Sequence, residues 1–393
     1  MSRATIAIPL PRRLAAPWHF DRLLVVLVLC LIAVGLISLT SASVHVATTE
    51  FGSPWFYLIR QCHALILGLI GALVLCLIPM RTWFTLSFLV LLFSLALLVL
   101  VLIPGFGFEA NGATRWVSIA GINVQVSEPA RVAMILYIAS YAVRQQENLQ
   151  SEFVGFAKPV MVLTMAATLL LLQPDFGAAA VLIATSFALL FAAGARLRDF
   201  SVFLIAAIAA FVALVLPSDY RMRRVTAFLN PWEDESDTGY QLVQSLLAVG
   251  RGEWTGVGLG NSIQKLSYLP EAHTDFVFSV FAEEFGLVGT VTFVALMLML
   301  VWRILSIARL AASRGLWFQA YVALGIGMWL GLQSFINIAV NLGLVPTKGL
   351  TLPLVSYGRS SAIVVLGALG LIMRIYHETQ CEAPARRSSR RPR

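Results

Sequence analysis

The stretch from Gly250 to Gly289 gathers the side chains best suited to chemistry: a string of glycines, Lys265, His273 and Asp275, set where a polar loop enters an apolar run. A carboxylate at the mouth of a membrane helix, preceded by flexible backbone and cations, suits proton transfer. Asp275 is therefore the candidate catalytic residue. At about 100° per residue, Ser279, Ala282, Gly286 and Gly289 fall within about 40° of it on a helical wheel. Such a face of small residues permits close helix packing or leaves a groove beneath the carboxylate. Glu283 and Glu284 project in different directions, and two acids inside a span are costly unless paired or wet. At least one of them reads as structural, with its partner on a neighbouring helix.

The cations form the second candidate set. Arg115 and Lys348 sit in short loops, Arg131 and Arg359 at span entrances, and Arg221, Arg223, Arg224, Arg251 and Lys265 in the loop from 217 to 274. Cations in short outer loops work against the orientation signal, which suggests an anionic ligand at the outer interface. Snorkelling to phospholipid headgroups is the alternative. Glu128 and Arg131 stand three residues apart, so a helix beginning at Glu128 pairs them on one face, and Pro129 fits its first turn. That spacing favours a structural ion pair over direct substrate contact. Gly256, Gly258 and Gly260 alternate without matching a nucleotide fingerprint and follow no strand, so they support only close backbone approach. The four cysteines have neither disulfide-framework nor zinc spacing.

The elements that must position these groups are membrane helices. Of 393 residues, 59% are hydrophobic and 12% charged, where an ordinary soluble domain carries about 25% charged residues. The expected fold is an all-α polytopic membrane protein with one integral domain. Ten apolar runs approach the length of a span: 22–43, 57–79, 83–103, 128–144, 159–173, 176–194, 199–216, 275–300, 317–341 and 354–376. A short segment 1–21 precedes them, and a basic tail, 377–393, follows. The N-terminal arginines and first apolar run look like a secretory signal, but that run is long enough to span and others follow it. The fifth run is short and ends at Gln173-Pro174-Asp175, which predicts a tight hairpin. Ten spans put both termini on one side, and the excess of Lys and Arg marks that side as cytoplasmic. The loop 217–274, between spans seven and eight, is then external. Within it, Leu242, Leu246 and Val249 recur at helical spacing and predict an amphipathic helix on the membrane surface. The arginine-rich tail is too polar to pack and reads as a disordered topological anchor or an attraction to anionic lipid. Gln333 and Asn337 share one face of the ninth span. The glycines, prolines and hydroxyls of 341–349 and 352–361 fit backbone that lines a protein-enclosed cavity.

Four ordered motifs carry a resemblance: Gln173-Pro174-Asp175-x-Gly177, Leu269-Pro270-Glu271-x-His273-x-Asp275-Phe276, Glu283-Glu284-x-Gly286, and Pro353-Leu354-x-Ser356-Tyr357-Gly358-x-Ser360-Ser361. Together they are similar to the SEDS family of shape, elongation, division and sporulation proteins, over nearly all ten spans. Pro346-Thr347-Lys348-Gly349 and the arginine-rich tail look more like its division branch than its elongation branch.

That resemblance implies a peptidoglycan glycosyltransferase that polymerises lipid II on the outer face of the cytoplasmic membrane at the division septum. Its implied partners are an FtsI-type class B penicillin-binding protein and regulators of the FtsQ, FtsL and FtsB type, with membrane lipids and no nucleic acid. Asp275 matches the family's essential aspartate and would serve as general base, with inversion at the anomeric carbon. Glu128 and Arg131 match its acidic and basic pair, although the basic member is usually lysine. Arg359 stands where glycine is usual, which questions the backbone conformation of that turn. Candidates for the diphosphates are Arg115, Arg131, Lys265, Lys348 and Arg359, with Mg2+ or Mn2+ as a possible divalent cation and no organic cofactor. Gln241, Gly258, His273, Ser356 and Ser360 are further candidate substrate contacts, with Glu128. Two other classes suit polar groups near membrane depth: a transporter that flips the lipid-linked precursor, and a scaffold that recruits a synthase. The sequence shows no inverted repeat, and its polar motifs concentrate on the outer side.

Overall fold

Twelve α-helices make up most of the described chain in a computed structural model. Residues 18–110, 113–119, 122–215, 228, 230–234, 239–347 and 349–382 are described. Lys348, Arg221, Arg223, Arg224 and the tail from 383 onward lie outside them. The helices are α1 (Arg22–Phe51), α2 (Phe56–Leu77), α3 (Met80–Leu100), α4 (Ser127–Arg144), α5 (Gln146–Ser151), α6 (Phe153–Leu172), α7 (Phe176–Ala192), α8 (Leu197–Val215), α9 (Tyr240–Arg251), α10 (Val277–Ser313), α11 (Trp317–Asn341) and α12 (Arg359–Cys381). Each apolar run falls on one of them. Seven, namely α1, α2, α3, α6, α10, α11 and α12, are long and apolar enough to cross a membrane, and α7 is apolar but shorter.

Several bounds differ from the sequence expectation, each for a local reason. α1 continues past Ser43 because nothing breaks it before Gly52, whose left-handed φ of 68° caps it. α6 begins at Phe153 and carries Pro159 inside it. Proline has no N–H to give the carbonyl four residues back. That carbonyl, of Gly155, instead accepts the Tyr141 hydroxyl at 2.7 Å. α9 forms as predicted, but its buried face of Leu242, Val243, Ser245 and Ala248 packs on α10 and α11. The last helix starts at Arg359 and not at residue 354. Ahead of it, Leu354 adopts a positive φ of 66° that no helix accommodates.

Residues 349–358 thread as non-helical backbone among α1, α2 and α11. Backbone removed from water needs internal partners, and three carboxamides supply them. Gln333 donates to Thr351 O at 2.8 Å, Asn337 to Leu350 O at 2.6 Å, and Gln61 to Ser356 O at 3.4 Å, while the Gly358 N–H donates to Gln61 Oε1. α12 lies along α2 so closely that a Cβ at Gly370 would collide with the carbonyl of Ala72.

Between α3 and α4 a three-stranded antiparallel sheet forms from β1 (Phe108–Ala110), β2 (Ala113–Ile119) and β3 (Ile122–Gln125), in that order. Ser360, at the start of α12, holds it to the bundle: the Gln125 N–H donates to Ser360 Oγ, which donates to Asn123 O.

Candidate functional site

Asp275 sits two residues ahead of α10, on a tight turn whose N–H groups at Asp275 and Phe276 both reach Glu271 O. Its own carbonyl accepts from Asn337 Nδ2 at 2.9 Å and Asn341 Nδ2 at 3.0 Å, both on α11. Asn341 also accepts from the N–H and hydroxyl of Ser279. The backbone under the carboxylate is thereby fixed from two sides. The carboxylate is half-buried, and no described side chain donates a hydrogen bond to it. Burial raises its pKa to about 7; the negative charge of Glu271 adds to the rise and the Arg115 guanidinium opposes it. A base titrating there is poised for proton transfer near neutral pH.

Of the two alternatives for the small-residue face under Asp275, the structure shows close packing. Ser279 and Ala282 are fully packed, and the helical register ends at Gly286, which has φ 64° and ψ −164° and breaks α10. The loop after α9 fills the break. Val257 and Gly258 donate N–H groups to the carbonyls of Glu283 and Glu284, and Leu287 and Val288 donate to the carbonyls of Glu253 and Trp254. A side chain at Gly256 would run into Glu284 O. Both halves of the broken helix thus recover their orphan backbone partners from one loop.

The two acids at the break are both paired. Glu283 holds Arg251 at 3.3 Å and accepts from the Ser262 hydroxyl and the Ile263 N–H. Glu284 holds Lys265 at 2.9 Å and Ser41 of α1 at 2.6 Å. The Lys265 charge, expected at a diphosphate, here answers a buried carboxylate and ties the loop to α1. Arg131 forms the structural ion pair that its spacing from Glu128 favours. It and Glu128 are 2% and 3% exposed, pair at 3.2 Å, and Arg131 also bonds Gln333 Oε1. These pairs hold elements together.

Arg115 and Arg359 are placed differently. Arg115 donates to Gln173 O and Pro174 O, neutral acceptors that leave its charge uncompensated beside Asp275. Arg359 opens α12 half-buried, after Gly358 in extended conformation at φ −177°, so the replaced glycine position is ordinary helix. His273 packs its ring against Tyr57 at 4.4 Å and accepts the Tyr357 N–H on its carbonyl. Burial lowers its imidazole below the ordinary value, against the pull of Glu271. Ser356 and Ser360 are buried and close backbone hydrogen bonds, and Gly258, with φ 95°, gives its N–H to Glu284 O. The two serines are enclosed, whereas Gly258 is half-buried, with only the Asn261 side chain near its Cα hydrogens among the described residues. Gln241 is half-buried in the first turn of α9.

Sequence reading missed Asn341 and Gly349. An ideal Cβ at Gly349 lies 3.2 Å from Asp275 Oδ2, so this glycine backs directly on the carboxylate. Asn341 was in plain sight, four residues beyond Asn337 on the same helix face. A cavity of about 430 Å³ lined by Trp232, Leu246, Leu247, Gly250, Arg251 and Gln264 lies beside α9 and includes no part of this site.

Ser41 lies 20 residues along α1 from Asp21, about 30 Å at 1.5 Å per residue, the thickness of a bilayer's hydrocarbon core. Asp21 binds Arg303 of α10, and Ser41 binds Glu284 near the start of the same helix. The Asp275 end of α10 therefore lies at the end of the bundle away from the described N-terminus. A multi-pass helical membrane protein with a fixed, partly desolvated carboxylate at one end is the class this fold and site define. The chain belongs to the cell cycle protein family of FtsW, RodA and SpoVE, whose match covers residues 21–381. It is 48% identical over 359 residues to the probable peptidoglycan glycosyltransferase FtsW of Thioalkalivibrio sulfidiphilus, across 91% of this chain and 90% of that one. A solved structure described as the structural coordination of polymerization and crosslinking by a peptidoglycan synthase complex is 31% identical, covers 92% of this chain and 98% of its own, and has a TM-score of 0.77. The rod shape determining protein RodA of Thermus thermophilus is 30% identical, covers 91% and 97%, and has a TM-score of 0.68.

Proposed function

We propose that this protein is a division peptidoglycan glycosyltransferase that joins lipid II units into glycan strands, with Asp275 as the base. Asp275 takes the proton from the acceptor sugar's 4-hydroxyl as that oxygen attacks the donor's anomeric carbon. The bond to undecaprenyl diphosphate breaks on the opposite face, so the centre inverts. Arg115 and Arg359 retain charge for the departing diphosphate, and Lys348 belongs to the same expected set. The reading is carried by a carboxylate titrating near 7 on a backbone clamped by two asparagines.

Both termini lie in the cytoplasm, Asp275 lies on the outer side, and the protein works at the septum. The partner is an FtsI-type class B penicillin-binding protein, supported by the likeness to a peptidoglycan synthase complex; FtsQ-, FtsL- and FtsB-type regulators complete the assembly. No group of three or more His, Cys, Asp or Glu side chains that could hold a metal converges among the described residues. A resident metal site does not fit them, and Mg2+ or Mn2+ would enter as the diphosphate's own counterion.

The test is polymerisation of fluorescent lipid II by the purified protein with its transpeptidase partner, in the presence of moenomycin. Long glycan is expected from the native chain and none from Asp275→Ala at unchanged complex formation. Full activity in that variant ends the assignment. No glycan from the native complex favours transport or scaffolding.

A further inference from the structure

Two loops meet at the Asp275 carboxylate: the turn 271–276 that carries it, and the segment 349–350 that backs on it. One side chain joins them. Asn337 Nδ2 donates to Asp275 O at 2.9 Å and to Leu350 O at 2.6 Å. Both acceptors are main-chain carbonyls, which only accept, so the amide can face them only with its NH2 group. Both of its hydrogens are then used. Its Oδ1 is left buried without a partner among the described residues, on a residue 1% exposed. A buried carbonyl oxygen without a hydrogen bond is unfavourable. The bridge is thus kept at a cost to stability, which is how groups that serve a site behave.

We infer that Asn337 is a positioning residue for the base: its carboxamide fixes the spacing between the Asp275 turn and the 349–350 segment, and so the place of the carboxylate. This rests on Asp275 acting as the base. Asn341 restrains the same carbonyl but reaches no part of 349–350. Among the described residues Asn337 is the side chain that bonds both the Asp275 turn and 349–350; the Tyr357 N–H ties the same turn to the chain further on, through His273 O. Gly349 shows how narrow the gap between the turn and 349–350 is, since even a methyl group there would press on Asp275 Oδ2.

Loss of the bridge lets the turn relax toward water, so the carboxylate regains solvent and titrates lower. The effect falls on the chemical step and not on substrate capture. In the full-length complex, Asn337→Ala should lower kcat on the order of 10- to 100-fold, the size of effect an ångström of misplacement produces. KM should stay within about threefold, and the acid limb of the kcat–pH profile should move to lower pH. A purely structural role predicts instead a smaller active fraction with the pH profile unmoved, and that outcome overturns the inference. Gly349→Ala disturbs the same spacing without touching Asn337 and decides the matter if Asn337→Ala does not fold: unchanged kcat there overturns it too. Asp275→Ala separates the two layers. If that variant is inactive while Asn337→Ala and Gly349→Ala behave as native, only the positioning role fails; if Asp275→Ala is active, the base assignment fails with it.

Discussion

Asp275 can accept a proton only while ionised, and an exposed aspartate ionises near 4. Burial holds this one near 7, with Glu271 raising it further and Arg115 pulling it down. Activity should therefore rise with pH through about 7 and fall away below, in a profile of kcat/KM against pH. Arg115→Met removes the opposing charge found among the described residues and should move that limb upward. A native limb at pH 4 to 5 would show the carboxylate to be solvated and unsuited to the role. Residue types at the site were legible in the sequence because a carboxylate stands where loop meets span. The fate of the cations was legible only where it was local. Glu128 and Arg131 pair across one helical turn, as their spacing required. Lys265 finds Glu284 only because the loop folds back into the break of α10.

That break is the element on which the site's geometry turns. The run 275–300 reads as one helix even with Glu283 and Glu284 in it, and a single glycine within it says little, because glycines also serve close packing in membrane helices. The sequence contains Gly286 but not the loop that occupies its opening, whose partners are main-chain atoms with no side-chain signature. The sheet after α3 escaped for a related reason: strands of three to seven residues are defined by their pairing. The Asn111-Gly112 pair between β1 and β2, itself outside the described residues, was the available hairpin signal. Long apolar helices needed no partner to be recognised. At Gly256, with φ 79°, a side chain is both strained and driven into Glu284 O. Gly256→Ala should lower thermal stability by several degrees in detergent and reduce polymerisation with it. Native stability in that variant would mean the loop does not fill the break.

Across the whole molecule, α10 is tied to its neighbours at both ends, through Glu283 and Glu284 near Asp275 and through Arg303 at the end of the described termini. At the end of the described termini, Asp21 caps α1 through the Leu24 N–H and pairs with Arg303 of α10, while Glu378 of α12 holds the Met80 N–H and Arg374. The Asp21 side chain is 1% exposed and that of Arg303 24%. Unequal burial makes the pair asymmetric. Arg303→Met strands a buried carboxylate and should cost roughly 3 kcal/mol. Asp21→Asn keeps the helix cap and leaves a guanidinium that can turn to water, so it should cost under about 1 kcal/mol. The double variant should resemble Asp21→Asn, because no buried charge remains in it. Thermal unfolding in one detergent reads all three. Turnover per folded molecule should be native throughout, since Asp275 lies about 30 Å or more away along the bundle. A loss of turnover in Arg303→Met beyond its loss of folded protein would show that the two ends are coupled, with α10 transmitting strain through its break.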